Sequence, residues 1–381
     1  MNNIIAYTRN TLDTFDQRPF HSVDSLVLAS AAYIHFPHSL QGLEGFQGMR
    51  LQELYRAEYF DEMFVNIPLF SEDIKTLFFA MAASPRYRDI RVKAYTEQYD
   101  LCTEKQFSAV TFQIDSKLCY IAFRGTDATL VGWKEDFNMA FQSPIPSQEE
   151  AVRYIEKTAI YCPGKLYVGG HSKGGNLAVY ASAMCRENVQ SRIERIFSHD
   201  GPGFLESTLQ SAEFRNISQR VEKTLPQSSV IGMLLEHQEN FHIVKSNKSG
   251  LWQHDQFNWL VEDHDFVYIE NLTKNATYAD RTLTDWLKKI SVDERERFVD
   301  SLYSVLAANN LTSLDDLRSN WQTVIPTTLQ AATQLDSDTK KFLLHTFKEL
   351  AALGIKNVTM FGKTKEKQPI ETNNNEELPK S

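Results

Sequence analysis

The sequence predicts an α/β fold, in which a mostly parallel central sheet is flanked by a helical N-terminal segment and a helical C-terminal subdomain. Three observations carry that expectation. After Ser84-Pro85 the texture changes from helical to short runs rich in β-branched and aromatic residues. From Gln148 onward, strand and helix patterns alternate, which calls for crossover connections and parallel strands. A glycine-rich corner, Gly170-His171-Ser172-Lys173-Gly174, stands between a short apolar strand and a helix.

Residues 1–83 read as mainly helical. Asp24 to Phe36 carries Leu26, Val27, Leu28, Ala31, Ala32 and Ile34, and Ser71 followed by Glu72 and Asp73 suits a helix start. Ile90 to Tyr95, Phe107 to Ile114 and Leu118 to Phe123 read as strands, the last two joined by a turn at Asp115-Ser116-Lys117. Gln148 to Tyr161 has helical spacing, Leu166 to Val168 is a strand, Asn176 to Cys185 a helix and Arg192 to Phe197 a strand. Beyond Thr282 the pattern returns to helix. Ser291 to Glu294 fits a capping box, and Asp338 to Leu353 is amphipathic and closed by Gly354. The expected division is 1–83 helical, 84–275 α/β core, 276–362 helical, and 363–381 a solvated disordered tail without apolar periodicity.

Composition narrows the function. With 42% apolar and 23% charged residues, the 381-residue chain is neither mainly disordered nor collagen-like. A net charge of −9 argues against nucleic acid as a partner. No apolar run approaches the ~18 residues of a membrane helix, so stable membrane insertion is not expected. The N-terminus lacks a signal-peptide pattern, and Cys102, Cys119, Cys162 and Cys185 are too sparse for a disulfide scaffold; both features suggest a cytoplasmic protein. Neither HExxH nor GxxxxGK[ST] occurs, so no metal or nucleotide cofactor is expected.

Gly170 to Gly174 spells GxSxG in the context that a nucleophilic serine requires. Ser172 would sit on a tight turn, its hydroxyl projecting from the sheet edge, with glycines where neighbouring backbone leaves no room for a Cβ. The following helix would aim its N-terminal amides at developing negative charge.

Two segments resemble the lipase-like branch of the α/β hydrolases. Gly170 to Ala178 (GHSKGGNLA) resembles the nucleophile elbow of the class-three, fungal triacylglycerol lipases. Ala122 to Asp127 (AFRGTD), followed by Trp133 and Asp136, resembles their strand and oxyanion loop. The resemblance covers roughly residues 107–260 and implies an α/β-hydrolase fold acting on a small-molecule acyl ester, lipid-like or thioester. A bacterial branch of that group is the expected place for this chain. One departure is Lys173, where those lipases carry an aliphatic residue. Its side chain either holds an anionic substrate or points into solvent.

A serine nucleophile needs a base and an acid to orient it. The chain order Ser, acid, His points to His254, in a polar loop after the Phe241–Lys245 strand, with His264 as runner-up. His237, His242 and His345 fall on expected regular elements, and His199 is expected to pack. For the acid, Asp200 leaves the Ile193–Phe197 strand into Gly201-Pro202, as in pancreatic-type lipases; Asp255 is the alternative. The class-three acid position, one strand later, falls in Leu225 to Val230 and holds serines. Backbone amides of Thr126 and Lys173 would form the oxyanion hole, with the Thr126 hydroxyl as a further donor, and Arg124 is expected to pair with Asp136. The broken class-three acid position leaves a second reading open: a catalytically silent binding or scaffold protein. A peptidase with the same three residues ranks below both.

Overall fold

The computed structural model describes residues 2–36, 47–65, 71–126, 130–139, 141–229, 231–235, 240–273 and scattered positions within 291–300. The chain divides into two compact units, 1–321 and 322–381, and the described residues all lie in the first. The expected helix at 338–353 and the tail at 363–381 lie outside the described residues.

Among the described residues, eleven strands form two sheets. The main one has the order β1 (Met49–Arg50), β2 (Arg91–Asp100), β3 (Lys105–Gln113), β4 (Leu118–Phe123), β5 (Lys165–His171), β6 (Ile193–His199), β7 (Val221–Pro226), β8 (Phe241–Val244) and β11 (Tyr268–Ile269). Strands β4 to β8 are parallel; β1 to β4, and the β8–β11 pair, are antiparallel. A two-residue ribbon, β9 (Val261–Glu262) with β10 (Asp265–Phe266), stands apart. Strand β2 runs on past the expected Tyr95, through a bulge between Lys93 and Thr96 where Ala94 has φ +52°.

Alternation along the strands explains why both faces are covered. On β4, Cys119, Ile121 and Phe123 enter one apolar cluster and Tyr120 and Ala122 the other. On β5, Leu166 and Val168 face one way and Tyr167 the other. Side chains point to opposite faces with a period of two, so strands apolar on both phases must be buried on both sides.

The strand order dictates what covers each face. Strands β4 to β8 follow one another in sequence order, and right-handed crossovers in a constant direction put every connecting helix on one side. The helices α6 (Pro146–Ala159) and α7 (Lys173–Met184) and the turn Ala212–Ile217 lie there, contributing Ile155, Leu177, Ala181 and Phe214. The opposite face is left to the N-terminal segment: α1 (Ile4–Asn10), α2 (Ser22–Ala31), the single turn α3 (Phe60–Met63) and α4 (Ser71–Ala83). Ile4, Leu26, Val27, Ile74, Leu77 and Phe78 from these helices are all fully buried.

An ion pair locks this cover. Asp24 of α2 accepts from Arg86 Nε (2.7 Å) and Nη2 (2.6 Å), from the Tyr87 and Tyr7 hydroxyls (2.6 and 3.0 Å) and from the His21 amide (3.1 Å). Neither charged side chain is exposed, and the pair is tolerated because the carboxylate's lone pairs are filled. Helix α5 (Leu130–Asn138), between β4 and α6, was not legible in the sequence.

Candidate active site

Register brings the chemistry together. His171 pairs with His199 and His199 with Thr224, so the adjacent parallel strands β5 and β6 end at one level, beside Thr224 of β7. Ser172 and Asp200 are the first residues beyond β5 and β6, at the carboxyl edge where ligands bind open α/β sheets.

Ser172 lies between β5 and α7 with φ +58° and ψ −132°. A non-glycine residue there stores about 1–3 kcal/mol of strain and needs neighbours that hold it. Its amide donates to the His199 carbonyl at 2.9 Å. Gly170 and Gly174 make the turn sterically feasible. A Cβ on Gly170 would collide with the Gly174 backbone, and one on Gly174 with the Phe123 carbonyl oxygen at the end of β4. The elbow is thereby pressed against the strand that leads to Thr126.

The structure joins three predicted residues in one hydrogen-bonded chain. The Ser172 hydroxyl lies 2.9 Å from His254 Nε2, and His254 Nδ1 lies 2.6 Å from Asp200 Oδ2. Asp200 is fully buried, Ser172 nearly so, and the His254 side chain is 25% exposed, so the solvent side is at the imidazole. Asp200 itself has φ +50°, and its amide donates to the Thr224 carbonyl at 2.8 Å. Its other oxygen, Oδ1, accepts from the Ser229 hydroxyl (2.5 Å) and the Gly232 amide (3.1 Å). Ser229 belongs to the segment where class-three lipases would carry their acid. Here a serine from that segment supports the carboxylate of the preceding strand.

His254 closes a 3-10 turn, Gly250–His254, after β8. Buried Gln253 anchors that turn, accepting from the Ser228 amide and donating to the Lys248 carbonyl, both at 2.8 Å. Trp259 Nε1 donates to the Gln253 carbonyl, also at 2.8 Å. The His254 carbonyl accepts from His171 Nε2 at 2.8 Å. His171 Nδ1 then accepts from the Tyr33 hydroxyl at 3.3 Å, tying the N-terminal segment to the base's loop. Burial, with His254 nearby, drives the His171 pKa well below the ordinary imidazole value, so it stays neutral.

The remaining candidates lie elsewhere. Asp255 caps the next 3-10 turn, accepting from the Phe257 amide (2.9 Å) and Asn258 Nδ2 (2.7 Å), and burial raises its carboxyl to about 6. His264 Nδ1 is bonded to the Thr11 hydroxyl at 2.9 Å. His199 packs in the core between Ser25 (2.8 Å) and Thr224 (2.7 Å), and burial lowers its pKa to about 3. His242 is on β8 against the Tyr268 ring, and His237 and His345 lie outside the described residues.

Two expectations at the oxyanion loop are corrected. Lys173 neither points into solvent nor faces a substrate cleft: it is 1% exposed, and its ammonium bonds Glu135 Oε2 at 2.9 Å and the Gln106 carbonyl at 2.9 Å. An acid on α5 awaits it, which the spacing of the sequence did not reveal. Arg124 pairs with Glu97 of β2 at 2.5 Å rather than with Asp136. Asp136 Oδ2 instead accepts from the Thr126 hydroxyl at 2.6 Å, and burial, offset by Lys173 and by that hydrogen bond, raises its carboxyl to about 6. Thr126 follows Gly125, where an added Cβ would meet the Ser172 Cβ at 3.1 Å, and Lys173 is the first residue of α7. First-turn amides have no intrahelical acceptor, so the Lys173 amide has the right position in the helix to receive an anion.

Among the described residues no cluster of His, Cys, Asp and Glu is arranged to hold a metal, and no helix is long and apolar enough to cross a membrane.

Similar solved structures are fungal and yeast lipases. Rhizomucor miehei lipase with its propeptide is 16% identical over 52% of this chain and 68% of that one, with a TM-score of 0.34. Lip2 lipase of Yarrowia lipolytica is 12% identical over 46% and 71%, TM-score 0.29. A triacylglycerol lipase of Penicillium expansum is 14% identical over 50% and 78%, TM-score 0.30. The strand order and the strand–Ser172–helix elbow are those of an α/β-hydrolase fold. No curated protein matches the chain. Residues 81–304, more than half of the length, match the family described as Mbeg1-like, and the chain belongs to that family.

Proposed function

We propose that this protein is a serine hydrolase cleaving carboxylic esters through an acyl-enzyme on Ser172. The observation that carries the reading is the Ser172–His254–Asp200 chain, at 2.9 and 2.6 Å, on a positive-φ elbow at the carboxyl edge of the sheet. Ser172 Oγ attacks the ester carbonyl carbon while His254 Nε2 takes its proton. The C–O bond to the alcohol breaks, and the alcohol leaves with that proton. Water then attacks the acyl carbon, His254 again accepting and returning a proton, and the acid departs as Ser172 is regenerated. Asp200 keeps the Nδ1–H tautomer and stabilises the imidazolium. Backbone amides of Thr126 and Lys173 are the proposed donors to the oxyanion. Each such donor is worth about 3–4 kcal/mol of transition-state stabilisation.

Asp200 has two further donors on Oδ1, so the serines at the class-three acid position do not leave His254 without an acid. That weighs against the silent scaffold. The proposed substrate is a small acyl ester, lipid-like or a thioester. The proposed setting is the cytoplasm, in keeping with four free cysteines, three of them buried.

Hydrolysis of p-nitrophenyl esters of increasing chain length tests the reading. Wild type should turn over, with the preferred length sizing the acyl pocket. Ser172→Ala and His254→Ala should lose at least about 10⁴-fold in kcat, and Asp200→Asn about 10⁴-fold. Equal rates in wild type and Ser172→Ala would refute it.

A further inference from the structure

The residue after the proposed nucleophile carries a cation where a sheet-edge elbow has no electrostatic need of one. Lys173 is 1% exposed and Glu135 is fully buried. Each proton of the ammonium has an acceptor: Glu135 Oε2 at 2.9 Å, the Gln106 carbonyl at 2.9 Å and Gln106 Oε1 at 3.3 Å. Glu135 is as fully engaged. Its Oε2 also accepts from the Ser147 hydroxyl (2.8 Å) and the Gln106 amide (3.1 Å), and its Oε1 from the Ser147 amide (2.9 Å).

Burying two charges is not an economical way to gain stability, because well-packed apolar side chains of similar volume do as well or better. What an ion pair with every partner in place does supply is fixed position. The pair joins two segments that must keep their spacing. Lys173 is the first residue of α7, and its amide is one proposed oxyanion donor. Glu135 sits on α5, the helix that follows Thr126, and the adjacent Asp136 holds the Thr126 hydroxyl at 2.6 Å. Neighbouring carboxylates on one helix thus grip both halves of the proposed oxyanion hole.

We infer that the buried Lys173–Glu135 pair is a positioning device that sets the separation of the Lys173 and Thr126 amides for the transition state. This rests on the hydrolase reading. The pair touches no substrate, so its effect should fall on kcat rather than on KM.

Lys173→Met alone leaves a buried carboxylate without its cation, and its loss of activity could be loss of fold. The informative protein is Lys173→Met/Glu135→Leu, which removes both charges together. Its melting temperature is measured with kcat and KM on p-nitrophenyl butyrate and with the Ki of an alkyl boronic acid that mimics the tetrahedral adduct. Rates are normalised to serines titrated with a fluorophosphonate, so unfolded molecules do not count as slow ones. The expected result is a kcat lower by about 10²-fold per titrated site, KM within about threefold and boronic acid binding weakened in step. A double variant with kcat per site within about threefold of wild type would overturn the inference, leaving the pair a packing element. A folded wild type that neither hydrolyses the ester nor takes up the fluorophosphonate would overturn both the inference and the hydrolase reading.

Discussion

Ser229 shows how one side chain changes the meaning of a motif. Read along the sequence, the serines at the class-three acid position look like a missing acid. In space, Ser229 donates to Asp200 Oδ1 across 29 positions of sequence. Ser229→Ala should leave that buried oxygen with the Gly232 amide alone, costing about 1–3 kcal/mol of stability. Chemical denaturation should register that loss, and ester hydrolysis should slow far less than in Asp200→Asn. Ser172, His254 and Asp200 were legible because each has a local signature: GxSxG after a strand, a polar loop after a late strand, and an aspartate leaving a strand tip into Gly-Pro. Ser229, His171 and Glu135 have none, since what they do depends on partners remote in sequence.

Buried titratable groups give pH dependence a sign. The pKa of His199 is near 3 in the fold against about 6.5 unfolded, so below pH 6.5 the unfolded chain takes up a proton that the native core refuses. Its contribution is present above pH 6.5 and is lost as pH falls toward 3, a loss on the order of 5 kcal/mol. His171 acts in the same direction. Asp136 and Asp255, raised to about 6, act oppositely: their contribution is complete below the ordinary carboxylate value and is lost as pH rises through 6. His199→Gln should therefore flatten the loss of stability between pH 6.5 and 4, measured as denaturation midpoints across that range. An unchanged acid limb would show that other groups govern it.

At the scale of elements, the elbow depends on the absence of side chains. Gly174→Ala puts a methyl group into the Phe123 carbonyl at the end of β4. The neighbour is backbone, so the strand end must move. We expect a loss of about 1–3 kcal/mol in stability, with a larger effect on turnover because Thr126 lies just beyond that strand. Strands β2 to β4 were legible from their β-branched and aromatic runs, and β5 and β6 from their alternation with helices. Strand β7 was not: Val221-Glu222-Lys223-Thr224 carries polar residues, and Lys223 and Thr224 are nonetheless buried. Helix α5 was missed for a related reason, since Gly132, Lys134, Glu135 and Asp136 interrupt any apolar stripe.

At the scale of the molecule, the strand order makes the N-terminal helices obligatory. With the crossover helices confined to one face, α1, α2 and α4 are what buries the other. Tyr33, just beyond α2, also reaches the His171 bond to the base's loop. Leu26→Ala, at a fully buried position of α2, should cost about 2–5 kcal/mol in denaturation experiments. The composition change at Ser84-Pro85 was plain in the sequence. That the preceding helices complete the sheet's core was not, because which face a crossover helix covers follows from strand order, and strand order is nonlocal.

Everything proposed for this protein turns on Ser172 being a nucleophile activated by His254. Fluorophosphonate labelling of the intact, folded protein tests it most directly, since the reagent needs an activated serine but no knowledge of the substrate. One adduct is expected, located by mass spectrometry on the peptide carrying Ser172, absent in Ser172→Ala and slowed by orders of magnitude in His254→Ala. A folded wild type that takes up no label, or takes it up equally well in Ser172→Ala, would contradict it.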